Sequence, residues 1–404
     1  MRSRRRWAVL AAGVAAQTAA SAVVYGVPFL VPMLRDERGL SLAAVGVVVA
    51  APTLGLLVAL IAWGAVVDRV GERLPMAAGL GACGVVTGVL ALLAPQSIAV
   101  AVGLLVLAGI GAASVNAASG RLIMGWFDVD ERGLAMGIRQ TAQPLGVAAA
   151  GLALPTLALS EGSFAALGWP ALACLVCAVL VLVVAADPPR AVRAPGDAPP
   201  ASPYRNVVLP RVHAASALRV LPLFAISAFS LEYLVREQGW APAAAGFFVA
   251  GAQIAGAGGR IASGWWSDRV GSRLRPMRQL AVASAAVLLV FAFGDLTTGV
   301  IAVAAIAAGS IITVADNGLA FTATAEIAGT AWSGRALGVQ NTTQNIVATA
   351  APPVLGAVIG VSSYAAGFAL AALAPLAAIA VTPVAAEPVP ERVAARAAAA
   401  SDGD

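Results

Sequence analysis

Long apolar stretches alternate with short polar or charged breaks along almost the whole chain. They run over residues 7–34, 41–66, 75–95, 98–126, 133–158 and 164–186. After a pause they resume over 213–235, 241–265, 277–294, 296–325, 332–360 and 363–385. A helix of about 20 apolar residues crosses the roughly 30 Å of hydrocarbon in a bilayer, so the pattern predicts twelve membrane spans. The breaks carry charge or turn residues: Arg35-Asp36-Glu37-Arg38-Gly39, Pro95-Gln96-Ser97, Asp128-Val129-Asp130-Glu131-Arg132 and Glu161-Gly162. Between the ninth and tenth stretches Gly294-Asp295 is the whole connection. The first stretch follows Arg2, Arg4, Arg5 and Arg6, as a secretory signal would. Its apolar run is far longer than the roughly 7–15 residues of a signal core, so it is read as a retained span.

Composition agrees. Of 404 residues, 60% are hydrophobic and 11% charged, whereas a soluble domain is about 45–50% apolar and 25% charged. All 25 basic side chains are arginine. Without lysine there is no Walker A phosphate loop and no Schiff-base chemistry. His213 is the one histidine, which excludes a multi-histidine metal site. The sequence contains neither HExxH nor GxSxG, so no enzyme, metal or cofactor is expected. Cys83, Cys174 and Cys177 lie in apolar runs and read as small packing residues.

The basic balance points to membrane topology rather than to nucleic acid. With the N-terminus inside, nineteen arginines fall on the inner side; only Arg35, Arg38 and Arg236 fall outside. That is the positive-inside pattern, with both termini cytoplasmic. Residues 1–186 and 213–385 form two six-span units, joined by a Pro-rich cytoplasmic linker at 187–212. The Ala-, Pro- and charge-rich tail at 386–404 is expected to be disordered.

The two units are copies. Gly64, Asp68, Arg69, Gly71 and Arg73 follow the second span, and Gly264, Asp268, Arg269, Gly271 and Arg273 follow the eighth, 200 residues later without a gap. Ala135-Met-Gly137-Ile-Arg139-Gln140-Thr141-Ala-Gln143 likewise matches Ala336-Leu-Gly338-Val-Gln340-Asn341-Thr342-Thr-Gln344 at an offset of 201. Parallel halves of this kind place a transport site between them near the bilayer midplane. The first motif resembles the loop 2–3 signature of the major facilitator superfamily, and its copy the loop 8–9 echo. The resemblance spans about residues 7–385. It implies an all-α fold of two pseudo-symmetric six-helix bundles working by alternating access. It also implies a gating role for both motifs, with Asp68 near the start of span 11 at Ser333 and Asp268 near the start of span 5 at Arg132.

Ionisable groups at membrane depth are costly and functional by default. They are Arg121, Arg139, Arg260 and Asp316. Glu232 and Glu326 fall near span ends, where water is accessible, and are set aside. Arg260 lies eight residues before Asp268, about 12 Å deeper at 1.5 Å per residue. The spacing Arg260-x3-Gly264-x3-Asp268-Arg269 resembles the span 8 arginine of the monocarboxylate and oxalate–formate branches of the superfamily, which binds a substrate carboxylate. The alternative is an arginine that snorkels to the inner surface. Arg121 and Arg139 are secondary candidates, close enough to the interface to pair there. Asp316 is either a proton carrier or the counterion of an arginine. Polar residues on otherwise apolar helices complete the expected lining: Gln17 and Tyr25 on span 1, Gln143 on span 5, Asn317 on span 10, Asn341 and Gln344 on span 11.

Drug–proton antiporters of the superfamily carry an early span 4 arginine and a Gly-Pro-x-x-Gly-Gly in span 5. Here early span 4 is uncharged and span 5 reads Gln143-Pro144-Leu145-Gly146. The expected function is therefore secondary transport of a small organic anion, a carboxylate, across a bacterial cytoplasmic membrane by a monomer in the bilayer, with coupling to protons left open. Proton-driven export of hydrophobic compounds is the first alternative, and a membrane sensor that binds without moving its ligand is the second.

Overall fold

The computed structural model describes residues 2–127, 135, 137–187, 202–315, 317–329 and 332–387. Every regular element among them is helical. The first half runs α1 (Arg2–Val24), α2 (Leu42–Val70), α3 (Arg73–Leu93), α4 (Ile98–Trp126), α5 (Ala142–Glu161) and α6 (Gly168–Val184), with a short helix Val31–Arg38 after α1. The second half runs α7 (Val208–Arg236), α8 (Pro242–Val270), α9 (Leu274–Asp295), α10 (Val300–Ala315 and Asn317–Ala328), α11 (Ser333–Val361) and α12 (Tyr364–Val381). Among the described residues, 11 helical spans are long and apolar enough to cross a membrane. The remaining long helix, α8, has 29 residues; its glycines together with Gln253 and Arg260 dilute its hydropathy.

Local chemistry sets the helix ends. Ser41 and Ser363 cap α2 and α12, each accepting from the amide three residues on at 3.2 Å, the usual N-cap geometry. Gly71 (φ 104°) and Gly271 (φ 65°) end α2 and α8. That backbone region suits glycine, which gives these two motif positions a conformational reason. A Cβ on Gly71 would also stand 2.7 Å from a carboxylate oxygen of Asp187.

Asp187 takes part in a second repeat device. Its Oδ1 accepts from the amides of Glu72 at 2.7 Å and Arg73 at 2.8 Å, capping α3. Two hundred residues later, Glu387 Oε1 accepts from the amides of Arg273 at 2.5 Å and Leu274 at 3.0 Å, capping α9, while Ser272 donates its hydroxyl to the other oxygen. A carboxylate here meets orphan amides and the positive end of the helix dipole. Asp187→Ala and Glu387→Ala should each lower stability by about 0.5–2 kcal/mol, and the sites are far enough apart for the losses to add. Thermal unfolding in detergent checks this; unchanged midpoints for both variants would remove the carboxylates from the account.

Within the first half α1 packs on α4, α5 and α6, while α4 also takes α2 and α3. The second half repeats the scheme, with α7 on α10, α11 and α12 and α9 on α10 and α12. The halves meet along two seams, α2 with α11 and α5 with α8. Both seams rest on glycines: a Cβ on Gly46 would lie 2.5 Å from the Pro352 carbonyl, and one on Gly246 2.3 Å from the Gly151 carbonyl. One apolar cluster, including Phe29, Leu34, Phe229, Leu234 and Tyr364, joins the halves at this end. The first and last described residues, Arg2 and Glu387, lie at the other end. There Trp7 stacks edge-on with Phe127 at 5.2 Å and Glu387 caps α9. Gly64, Gly264 and Gly338, toward that end of α2, α8 and α11, and Gly137, just before α5, would meet nothing within 4 Å. The halves touch at one end and diverge at the other.

Candidate functional site

The deepest polar contact between the halves lies where they begin to diverge. Arg260 on α8 donates from Nη1 to the Gln140 carbonyl of the opposite half at 2.9 Å, and from Nε to the Val314 carbonyl on α10 at 3.1 Å. The Gln140 carbonyl is open for a sequence reason. In a regular helix it would accept from the amide four residues on, but that residue is Pro144, which has no N–H. Thr141 closes a turn onto Ile138 instead, through its amide at 3.2 Å and its hydroxyl at 2.7 Å.

Arg260 lines a cavity between the halves together with Tyr25, Gln143 and Gln253. Its apolar walls are Pro144, Val147, Leu223, Phe224 and Val314, and Tyr25 and Phe224 meet edge-to-face at 6.3 Å. About 30 Å³ is enclosed, the room of one water, so a larger occupant requires side chains to move. Among the described residues no carboxylate pairs with Arg260. A guanidinium cannot shed its proton as a lysine can, and at membrane depth it costs roughly 2.5–3.5 kcal/mol on insertion scales. The site is a cation among apolar and uncharged polar side chains.

The structure brings Arg260, Tyr25 and Gln143 together and sends the other expected lining residues elsewhere. Gln17 donates to Asn116 at 3.3 Å and accepts from Ser119 at 3.4 Å, inside the first half. Gln344 donates to Ser216 at 2.6 Å and Asn317 at 3.0 Å, inside the second. Asn341 accepts from Asn345 at 3.0 Å one turn along α11. Arg139 donates to Ser119 at 3.0 Å and to the Gln140 side chain at 3.4 Å. Asp316 lies outside the described residues. Gln253 and Phe224 were missed; their only signal is a face shared with Arg260 or a position on α7. Asn116 was missed although it sits 201 residues before Asn317.

The gating motifs differ from the resemblance. Asp68 pairs with Arg121 in its own half, and Arg121 Nε lies 3.7 Å from Glu72. Asp268 pairs with Arg273 at 2.6 Å, and Arg273 also holds Glu326 at 3.2 Å. Neither contact crosses between halves, because the halves are apart at this end and each carboxylate takes the nearest arginine of its own bundle. Arg132, the region expected to face Asp268, lies outside the described residues. Arg269 lies over the Trp265 ring at 3.8 Å, a cation–π contact.

The crossing ion pairs sit at the opposite end. Glu232, set aside as easily solvated, has 0% side-chain exposure and pairs with Arg35 of the other half. Arg236, 3.6 Å from Glu232, pairs in turn with Asp36. A span-end position did not mean solvation, because the short helix Val31–Arg38 covers it.

Comparison with known proteins agrees with this architecture. The family model described as Major Facilitator Superfamily matches residues 13–352. An "Uncharacterized MFS-type transporter" of Mycobacterium tuberculosis H37Rv is 43% identical over 381 residues, covering 94% of this chain and 85% of that protein. Its counterpart in strain CDC 1551 / Oshkosh is 42% identical over the same length. The crystal structure of a bacterial homologue of the human lysosomal transporter Spinster, inward-facing and occupied, superposes with a TM-score of 0.71 at 15% identity. That match covers 93% of this chain and 94% of the other, and at such identity shows the fold alone. The protein is a multi-pass membrane transporter. The chain belongs to the major facilitator superfamily.

Proposed function

We propose that the protein is a secondary transporter that moves a small organic anion, a carboxylate, across a bacterial cytoplasmic membrane by alternating access. The observation that carries the anion is Arg260: a guanidinium in an apolar-walled cavity between the halves, with no carboxylate partner among the described residues. A planar guanidinium matches a carboxylate with two parallel hydrogen bonds, and the surrounding aromatic and aliphatic walls fit the apolar body of an organic acid.

Alternating access is supported by the unequal seams. Four helices close the end away from Arg2 and Glu387 through glycine contacts, while Gly64, Gly137, Gly264 and Gly338 stand bare at the other. These are two repeat-related pairs, and rocking the halves about the central cavity would bring them into the close approach that glycine permits. With the arginine-rich face inside, this conformation opens inward.

Counterflow in proteoliposomes across a panel of labelled small carboxylates tests the reading. Exchange of at least one carboxylate, saturable and absent from empty liposomes, is the expected result. No exchange of any carboxylate would sink the anion reading and favour export of hydrophobic compounds through the same cavity.

A further inference from the structure

We infer that the transported anion carries two negative groups, bound by Arg260 and Arg139 from opposite halves of the protein. The inference rests on the anion reading above and sharpens it.

Two guanidinium groups converge on one residue. Arg260, from the second half, holds the Gln140 carbonyl at 2.9 Å, while Arg139, from the first half, holds the Gln140 side-chain oxygen at 3.4 Å. Each is then one hydrogen bond from the same glutamine. Among the described residues neither has a carboxylate partner, and their protein contacts are all with neutral oxygens: Val314 and Gln140 for Arg260, Ser119 and Gln140 for Arg139.

Other arginines of the protein sit in ion pairs. Arg35, Arg121, Arg236 and Arg273 all hold carboxylates. Arg139 and Arg260, one from each half and joined through Gln140, hold only neutral oxygens. Neither can relieve its charge by losing a proton, so the pair holds two positive charges in a low-dielectric site with only neutral acceptors. A monoanion would leave one uncompensated.

Position favours an elongated dianion. Gln143 lines the cavity beside Arg260, while Arg139 precedes the turn at Thr141 and lies two residues from Gly137, which stands bare at the diverging end. Arg139 thus stands toward the open mouth and Arg260 at the apex. A short dicarboxylate can span the two, one carboxylate replacing the Gln140 carbonyl on Arg260 and the other replacing the Gln140 amide oxygen on Arg139. Because the arginines belong to different halves, such a ligand would tie the halves together at the point about which they rock.

The test uses the full-length protein in liposomes with two probes alike except for one charge, succinate and its monomethyl ester, each competing against counterflow of the best labelled carboxylate. Succinate is expected to compete at least tenfold more effectively with wild type. Arg139→Gln should lower competition by succinate to the level of the monoester, a change of selectivity that mere loss of packing would not give. Arg139→Lys, which keeps the charge, should restore part of the preference. Equal competition by diacid and monoester in wild type overturns the inference whatever the variants do, and leaves the carboxylate reading standing. A preference for succinate that survives Arg139→Gln overturns the role of Arg139. Failure of every carboxylate to exchange removes both readings at once.

Discussion

Arg260→Gln is expected to reduce carboxylate counterflow by about 30-fold to more than 1,000-fold while leaving the protein folded. Removing one partner of a desolvated charge pair costs roughly 2–5 kcal/mol, and each 1.4 kcal/mol is about tenfold. The lost group lines the cavity, and glutamine keeps a donor for the Gln140 or Val314 carbonyl without supplying the charge. Arg260→Lys should recover only part of the activity, since an ammonium cannot reproduce the paired geometry of a guanidinium. Arg121→Gln is the matched control. It removes another arginine predicted at membrane depth, but one paired with Asp68 and half exposed at 52%. An Arg260→Gln variant that exchanges carboxylates at the wild-type rate would make Arg260 a structural brace joining α8 and α10 to Gln140, just before α5, and the anion reading would lose its anchor.

That control also shows what a sequence can and cannot disclose about such a site. The membrane spans were legible because the bilayer imposes length and hydropathy directly; α4 begins and ends at the residues where its apolar run does. The gapless repeat made the two bundles legible, and with them the paired motifs. Depth alone could not separate Arg121 from Arg260. Both are single arginines in apolar helices, and only packing shows that one reaches Asp68 across α2 and α4 while the other reaches the opposite half. Gln17, Ser21 and Tyr25, spaced four residues apart along α1 and just past its end, part for the same reason. Tyr25 reaches the cavity, Gln17 turns into α4, and Ser21 packs against Gly146 of α5, where a glycine Cβ would come within 2.7 Å of it. A helical face facing its own bundle reads like one facing a pathway. Asp187, Glu232 and Glu387 were hidden by position: each lies next to a loop or chain end, where charge is ordinarily solvated, and acquires its partner through tertiary folding.

The seams between the halves make a prediction of comparable size. Gly246→Val is expected to open the end of the protein that is closed here. A Cβ at residue 246 would lie 2.3 Å from the Gly151 carbonyl and its neighbourhood includes Pro155 at 2.9 Å. Both obstacles are backbone or ring atoms that cannot rotate away, so α5 and α8 must separate. Overpacking a tight contact costs about 1–3 kcal/mol, and the cost falls only on conformations in which this seam is closed. The equilibrium should therefore move toward the opposite-facing state by about 5-fold to 150-fold. Opposing it are the cross-half pairs Arg35–Glu232 and Asp36–Arg236, which break when this end opens. Spin labels at Ser160 and Ala241, exposed positions at the ends of α5 and just before α8, report the separation. A longer-distance population should appear in Gly246→Val and be absent from Gly251→Val, where a Cβ on the same helix meets nothing within 4 Å. Counterflow should fall with the former and persist with the latter, since a transporter held in one orientation cannot complete its cycle. Identical distance distributions and equal transport in the two variants would mean that the glycine seam packs the fold without governing which side is open.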